Sequence, residues 1–245
     1  MNNYIESGAA MFKAITFLLI FLLMGTPISA SNPIRTAEDV SVSVNIAINV
    51  YNLDDTVIHN EPAPTCSGFV VSSKGTDAVI ATAGHCAERV AYFDDDGSAK
   101  GDVETVPKYV RFFDGDVGTV THIWFSRSPD VALLWIHSMR HHPAARFSLN
   151  VYRGQSLYVF GSPLGIEWSL ARASSMRGTL GMILDGKESS WNGAYVIECA
   201  GCAPGTSGAG VFDETGAVVG QIVAANGAQL FMTPTYQLLK IIGKR

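Results

Sequence analysis

From Val40 to Val50 a β-branched aliphatic residue stands at every second position: Val40, Val42, Val44, Ile46, Ile48 and Val50. Ser41, Ser43, Asn45 and Asn49 fill most of the gaps. Successive side chains of a strand point to opposite faces, so period two over this length predicts a β-strand with a buried face. Shorter strand-like runs follow at Phe69–Ser72, Ala78–Thr82, Val90–Phe93, Tyr109–Phe113, Thr119–Phe125 and Val131–Ile136. A second series runs Ser156–Gly161, Met176–Ile183, Ala194–Cys199, Gly210–Phe212, Val218–Ala224 and Leu230–Thr233. Turn-forming clusters separate them: Asp94-Asp95-Asp96-Gly97, Asp114-Gly115-Asp116, Asp185-Gly186 and Glu214-Thr215-Gly216. In the second of these, Asp114 and Asp116 flank a glycine and read as solvated. Only residues 235–242, after Pro234, read as a helix.

Many short strands divided by turns predict an all-β sandwich or barrel. The stretch Ser138–Asn150, with Arg140, His141, His142 and Pro143, is the best internal linker and divides the strands into two sets of about six. The sequence shows no internal repeat. Its net charge of −5, with no basic block, argues against a nucleic-acid partner.

The amino-terminal 30 residues stand apart. Lys13 precedes an apolar run, Ala14 to Met24, followed by Gly25, Pro27 and Ile28-Ser29-Ala30. That run is shorter than the roughly 20 residues that span a bilayer. A basic flank, a short apolar core and a small residue before the break read as a secretory signal. Translation from Met11 would give a more compact leader of the same kind. Cleavage after Ala30 predicts a secreted or periplasmic chain of residues 31–245. Membrane contact is expected only if the leader is retained.

Three motifs carry chemistry: Thr82-Ala83-Gly84-His85-Cys86, Pro129-Asp130-Val131-Ala132-Leu133-Leu134 and Pro204-Gly205-Thr206-Ser207-Gly208. They supply an imidazole base, a carboxylate to orient it, and a hydroxyl in a glycine-rich turn, which are the groups acyl transfer to a serine requires. His85 and Asp130 are 45 residues apart, and Asp130 and Ser207 are 77 apart. The order excludes an α/β-hydrolase arrangement, which needs a histidine after the serine: all six histidines precede Ser207.

In these three contexts the chain resembles the trypsin-like, chymotrypsin-fold serine proteases, over roughly residues 66 to 234. Pro204 before the glycine is more similar to the bacterial high-temperature-requirement branch than to animal trypsins. The resemblance implies two six-stranded antiparallel β-barrels, one at about 40–137 and one at about 151–234, closed by the helix at 235–242. It also implies a site between the barrels. His85 would be the general base, Asp130 its orienting partner and Ser207 the nucleophile. The backbone N–H groups of Gly205 and Ser207 would form the oxyanion hole. Gly201, Ala224, Ala225 and Asn226 would lie along the substrate and its primary pocket. No acid is evident among them, which disfavours cleavage after Lys or Arg. The few residues after the helix leave no room for the peptide-binding domain of high-temperature-requirement proteases.

Four cysteines in an exported chain suggest disulfides. By the same resemblance Cys66 pairs with Cys86. Cys199 and Cys202 form a Cys-x-x-Cys that reads as a local disulfide, a redox pair or half of a zinc site. No second such pair exists and His137, His141 and His142 lie far off in sequence, so a local disulfide is the expectation, with no metal and no cofactor. Thr206 stands where animal trypsins carry an aspartate that captures a freed amino terminus, and no Ile-Val-Gly-Gly segment occurs. Activation of that kind is therefore not expected. The leading expectation is an exported serine endopeptidase acting on proteins or peptides. The alternatives are a catalytically silent protease-fold binding protein and an esterase-like hydrolase on the same fold.

Overall fold

The structure is a computed structural model that describes residues 32–62, 65–93, 97–166, 168–180, 183–184, 187–188, 194–226 and 229–243. The leader, residues 1–30, lies outside the described residues, as do the Asp94-Asp95-Asp96 and Asp185-Gly186 turns.

The first barrel is built from β1 (Ser41–Asn52), β3 (Cys66–Lys74), β4 (Asp77–Thr82), β6 (Ala99–Phe112), β7 (Val117–Arg127) and β8 (Asp130–His137). Its order is β1-β3-β4-β8-β7-β6, and β6 returns to β1 through a register running from Val42 opposite Phe112 to Asn52 opposite Gly101. Two further strands, β2 (Val57–Pro62) and β5 (Arg89–Phe93), extend it beside β1 and β6. The second barrel contains β9 (Ser156–Gly161), β10 (Ser169–Leu180), β13 (Ala194–Glu198), β14 (Gly210–Phe212), β15 (Val218–Asn226) and β16 (Gln229–Pro234). It closes in the order β10-β13-β16-β15-β14-β9, while β11 (Ile183–Leu184) and β12 (Lys187–Glu188) form a separate small hairpin. Every described strand pairing is antiparallel, apart from one isolated parallel bridge between Phe147 and Val218.

Three apolar clusters account for this arrangement. Val42, Val44, Val70, Ile80, Val110, Phe112, Leu134 and Ile136 fill the first barrel. Leu157, Val159, Ile197, Val211, Val219, Ile222, Leu230 and Met232 fill the second. Between them lies a third cluster that draws Phe69, Val131 and Leu133 from the first barrel and Phe160, Phe212 and Val218 from the second. Strand β8 serves two clusters at once: Val131 and Leu133 face the inter-barrel core, and Leu134 and Ile136 face the barrel interior. A strand buried on both faces reads as an unbroken apolar run, which is what Val131–Ile136 is. For the same reason the polar partners in the β1 alternation are not all in water: Ser41 and Ser43 are fully buried.

Among the described residues two α-helices flank the barrels. The expected one, α2 (Thr235–Ile242), buries Leu238 in the inter-barrel cluster. The other, α1 (Pro33–Val40), was not expected. Asn32 caps it by accepting the Ile34 N–H at 3.1 Å, Pro33 occupies its first turn, and Ala37 and Val40 join the same cluster.

The linker is a strap across both barrels. Ala145 N–H donates to the Val70 carbonyl at 2.8 Å, and Ser148 N–H donates to that of Val218 at 2.9 Å. Here one expectation is overturned: Asp116 is not solvated. Its side chain is 6% exposed and its Oδ2 lies 2.9 Å from His142 Nε2, while His142 stacks on Phe112 at 3.4 Å. Burial pushes the Asp116 carboxyl up, but His142 and the N–H groups of Val117 and Arg140 together hold it below the ordinary carboxylate range. Asp114 does stay exposed, paired with Arg140.

Candidate active site

His85 sits in a 3-10 turn, Gly84–Ala87, that leaves the end of β4. Asp130 is the first residue of β8, which pairs with β4. The two meet twice. His85 N–H donates to Asp130 Oδ1 at 2.8 Å, and the ring Nδ1 lies 2.7 Å from Oδ2. The carboxylate is nearly buried and the imidazole 43% exposed. Gly84 makes this approach possible, since a Cβ there would lie 2.5 Å from Asp130 Oδ1 and 2.6 Å from the Ser126 carbonyl oxygen. The far side of the turn is held by Thr105, whose hydroxyl meets the carbonyls of His85 at 2.8 Å and Glu88 at 3.0 Å. The Cys66–Cys86 disulfide ties the same turn to the start of β3.

Ser207 lies in the turn between Cys202 and β14. Gly208, with φ +86°, presses that turn onto the histidine wall: a Cβ there would collide with the Ser67 carbonyl and the Thr82 hydroxyl, and would lie 2.8 Å from Ala83 N. The fold thus brings the Ser207 turn against the residues that lead into His85. Among the described residues no hydrogen bond joins the Ser207 hydroxyl to the imidazole.

The peptide groups of this turn are almost fully committed. The Pro204 carbonyl accepts from Leu164 N–H at 2.6 Å, that of Gly205 from the Ser67 hydroxyl at 2.7 Å, and that of Thr206 from Ala209 N–H at 2.9 Å. The Ser207 carbonyl accepts from Ser67 N–H at 2.8 Å. Thr206 N–H donates to Ala203 at 3.0 Å and Gly208 N–H to Ile222 at 2.7 Å. Among the described residues, the Gly205 and Ser207 N–H groups alone in this turn have no acceptor. Gly205 reaches this conformation at φ +99°, and a Cβ there would collide with the Ser162 carbonyl.

The Thr206 hydroxyl closes on its own turn, donating to the Ala203 carbonyl at 2.7 Å and lying 3.2 Å from Ala203 N. The loop before it is closed by the Cys199–Cys202 disulfide. Gly201 is exposed at its tip and abuts β10, where a Cβ would lie 3.2 Å from that of Ala171. Ala224, Ala225 and Asn226 end strand β15, beyond the Ile222 carbonyl that receives Gly208 N–H. Ala224 is half-buried and Ala225 exposed. Among the described residues no group of three or more His, Cys, Asp or Glu side chains is placed to hold a metal ion. Ser67, Thr105 and Leu164 escaped the sequence reading. Each acts through contacts with residues distant in sequence, so no local pattern marks them.

The family model described as trypsin-like peptidase domain matches residues 66–220. No curated protein matches the sequence. Among solved structures, the active form of the Rv3671c protease from M. tuberculosis aligns with a TM-score of 0.59 at 20% identity, over 89% of this chain and 86% of that one. An inactive serine-to-alanine form of the M. tuberculosis H37Rv protein aligns at 0.56 and 19% identity, over 89% and 93%. The HtrA-type protease AlgW, solved with a tripeptide, aligns at 0.61 and 16% identity, over 88% of this chain but 63% of its own. At these identities the likeness is one of fold.

Proposed function

The chain belongs to the trypsin-like peptidase domain family, and from that premise we propose that it is an exported serine endopeptidase whose triad is His85, Asp130 and Ser207. One observation carries the reading. Asp130 grips both the ring and the backbone of His85, on the wall against which the Ser207–Gly208 turn is packed.

The roles follow from the chemistry. With Nδ1–H donated to Asp130, the neutral imidazole presents Nε2 as an acceptor. Bound substrate draws the serine hydroxyl and Nε2 together, since such contacts tighten in the complex. Ser207 Oγ then attacks the peptide carbonyl while its proton passes to Nε2, and Asp130 stabilises the imidazolium without taking the proton. The carbonyl oxygen, now negative, is received by the two uncommitted N–H groups of Gly205 and Ser207. The imidazolium gives its proton to the departing amine, leaving an acyl-enzyme. Water, deprotonated by the same Nε2, releases the acid.

Ala224, Ala225 and Gly201 offer no counter-charge to a buried Lys or Arg, so small or medium apolar side chains are the preferred residues before the scissile bond. The Thr206 hydroxyl already satisfies the turn locally, and no freed amino terminus is needed. The leader and two disulfides support an oxidising compartment outside the cytoplasm. The test is labelling with a fluorophosphonate probe. Ser207 is labelled, and Ser207→Ala abolishes it; labelling that survives in the alanine variant would falsify the assignment.

A further inference from the structure

We infer that Ser67 is a positioning residue for the oxyanion-binding turn, reaching across from the first barrel to fix the peptide group after Gly205. This rests on the serine-peptidase reading and extends it to a residue outside the triad.

Ser67 is fully buried, and every polar group it has is engaged. Its N–H donates to the Ser207 carbonyl at 2.8 Å, and its carbonyl accepts from the Thr82 hydroxyl at 2.7 Å. Its hydroxyl accepts from Ser162 N–H at 2.9 Å and spends its single proton on the Gly205 carbonyl at 2.7 Å. A slot has been kept for that hydroxyl: a Cβ on Gly161 would lie 2.6 Å from it.

The need for such a contact comes from Gly205. A glycine at φ +99° lacks the Cβ that would hold its neighbouring peptide planes in place. In a trans peptide the carbonyl and the following N–H point in opposite directions, so holding a carbonyl aims the N–H. Leu164 holds the plane between Pro204 and Gly205, and Ala209 the plane between Thr206 and Ser207. The plane between them is held at one end by Ala203 and at the other by Ser67. If it rotates, φ and ψ on either side change and both uncommitted N–H groups swing off a common point. Among the described residues Ser67 is the only side chain from outside the turn that holds one of its carbonyls. Through Ser162 N–H it also links this turn to the Ser162–Ile166 segment, beside the direct bond from Leu164 N–H to the Pro204 carbonyl.

The experiment compares Ser67→Ala and Ser67→Cys with the unaltered protein. In the alanine variant kcat on a peptide amide should fall about tenfold to a hundredfold, as when an oxyanion contact is weakened. KM should stay within about twofold, because the lost interaction belongs to the transition state. A carbon-13-labelled peptidyl chloromethyl ketone reads the site directly: the hemiketal on Ser207 should ionise at higher pH in the variant. The cysteine variant keeps a side chain in the slot with a weaker donor, so it should fall between the two, and it serves if the alanine variant does not fold. Folded variants with unaltered kcat and hemiketal ionisation, changed only in melting temperature, would overturn the inference. Activity persisting in Ser207→Ala would instead overturn the peptidase reading, so the two failures are distinguishable.

Discussion

Asp130 holds His85 at two atoms, with Oδ1 on the backbone N–H at 2.8 Å and Oδ2 on the ring Nδ1 at 2.7 Å. One carboxylate therefore sets both where the turn sits and which tautomer the ring adopts. Asp130→Asn keeps the shape and can still accept the backbone N–H, but an amide nitrogen facing Nδ1 favours the wrong tautomer. Turnover of a peptide amide is expected to fall about 10⁴-fold, the scale seen for such an exchange in a serine-protease triad. Steady-state kinetics alongside circular dichroism checks it.

Gly84 gives a second handle on the same pair. In Gly84→Ala the new methyl meets Asp130 Oδ1 at 2.5 Å and the Ser126 carbonyl at 2.6 Å. Asp130 must retreat, and misplacement on the ångström scale costs about a hundredfold in rate. Reduced kcat should come with a lower melting temperature; a variant matching the parent in both would show that the wall yields freely.

Breaking the Cys66–Cys86 bridge opens a loop of 20 residues. The chain-entropy account assigns about 3 kcal/mol to such a closure. Urea denaturation of the Cys66→Ala/Cys86→Ala double variant should show a loss of that size. Non-reducing peptide mapping of the parent should recover the two cysteine peptides as one species.

Asp116 makes stability depend on acid. Its folded-state pKa is depressed below the ordinary 3.8. A depressed carboxyl contributes stability that is present above its unfolded value and lost as pH falls through the folded one. The advantage of the parent over Asp116→Asn should therefore be full at neutral pH and fade below pH 3.8. Denaturation curves at several pH values measure it; an advantage constant with pH would contradict the assignment.

Cleavage profiling with a peptide library should show small or medium apolar residues before the scissile bond. Activity should be independent of a few extra residues before Ser31. A dominant Lys or Arg preference would contradict the pocket reading, and activity confined to one trimmed terminus would contradict the local role of Thr206.

How far the sequence announced all this varies with the range of the interactions. The β1 alternation and the β8 run are local records of which faces are buried, and both strands lie where those patterns put them. The three motifs are local too, because a turn that must bend at Gly84, Gly205 or Gly208 writes its glycines beside the side chain it presents. Strand β2 left little trace: Val57 and Ile58 are exposed on it, so no buried face imposed a pattern. Helix α1 was legible in principle from Asn32-Pro33, a cap followed by a first-turn proline. Asp116 looks like a turn residue because its partner His142 is 26 positions away. Ser67 was silent for the same reason, its hydroxyl meeting groups 95 and 138 positions off.

The Ser207 turn hangs by its carbonyls from Ser67 on one barrel and is pinned through Gly208 to Ile222 on the other. A chain with only one half condensed has no complete machinery, whichever half forms first. The shape of the turn is therefore complete only once the two barrels have docked.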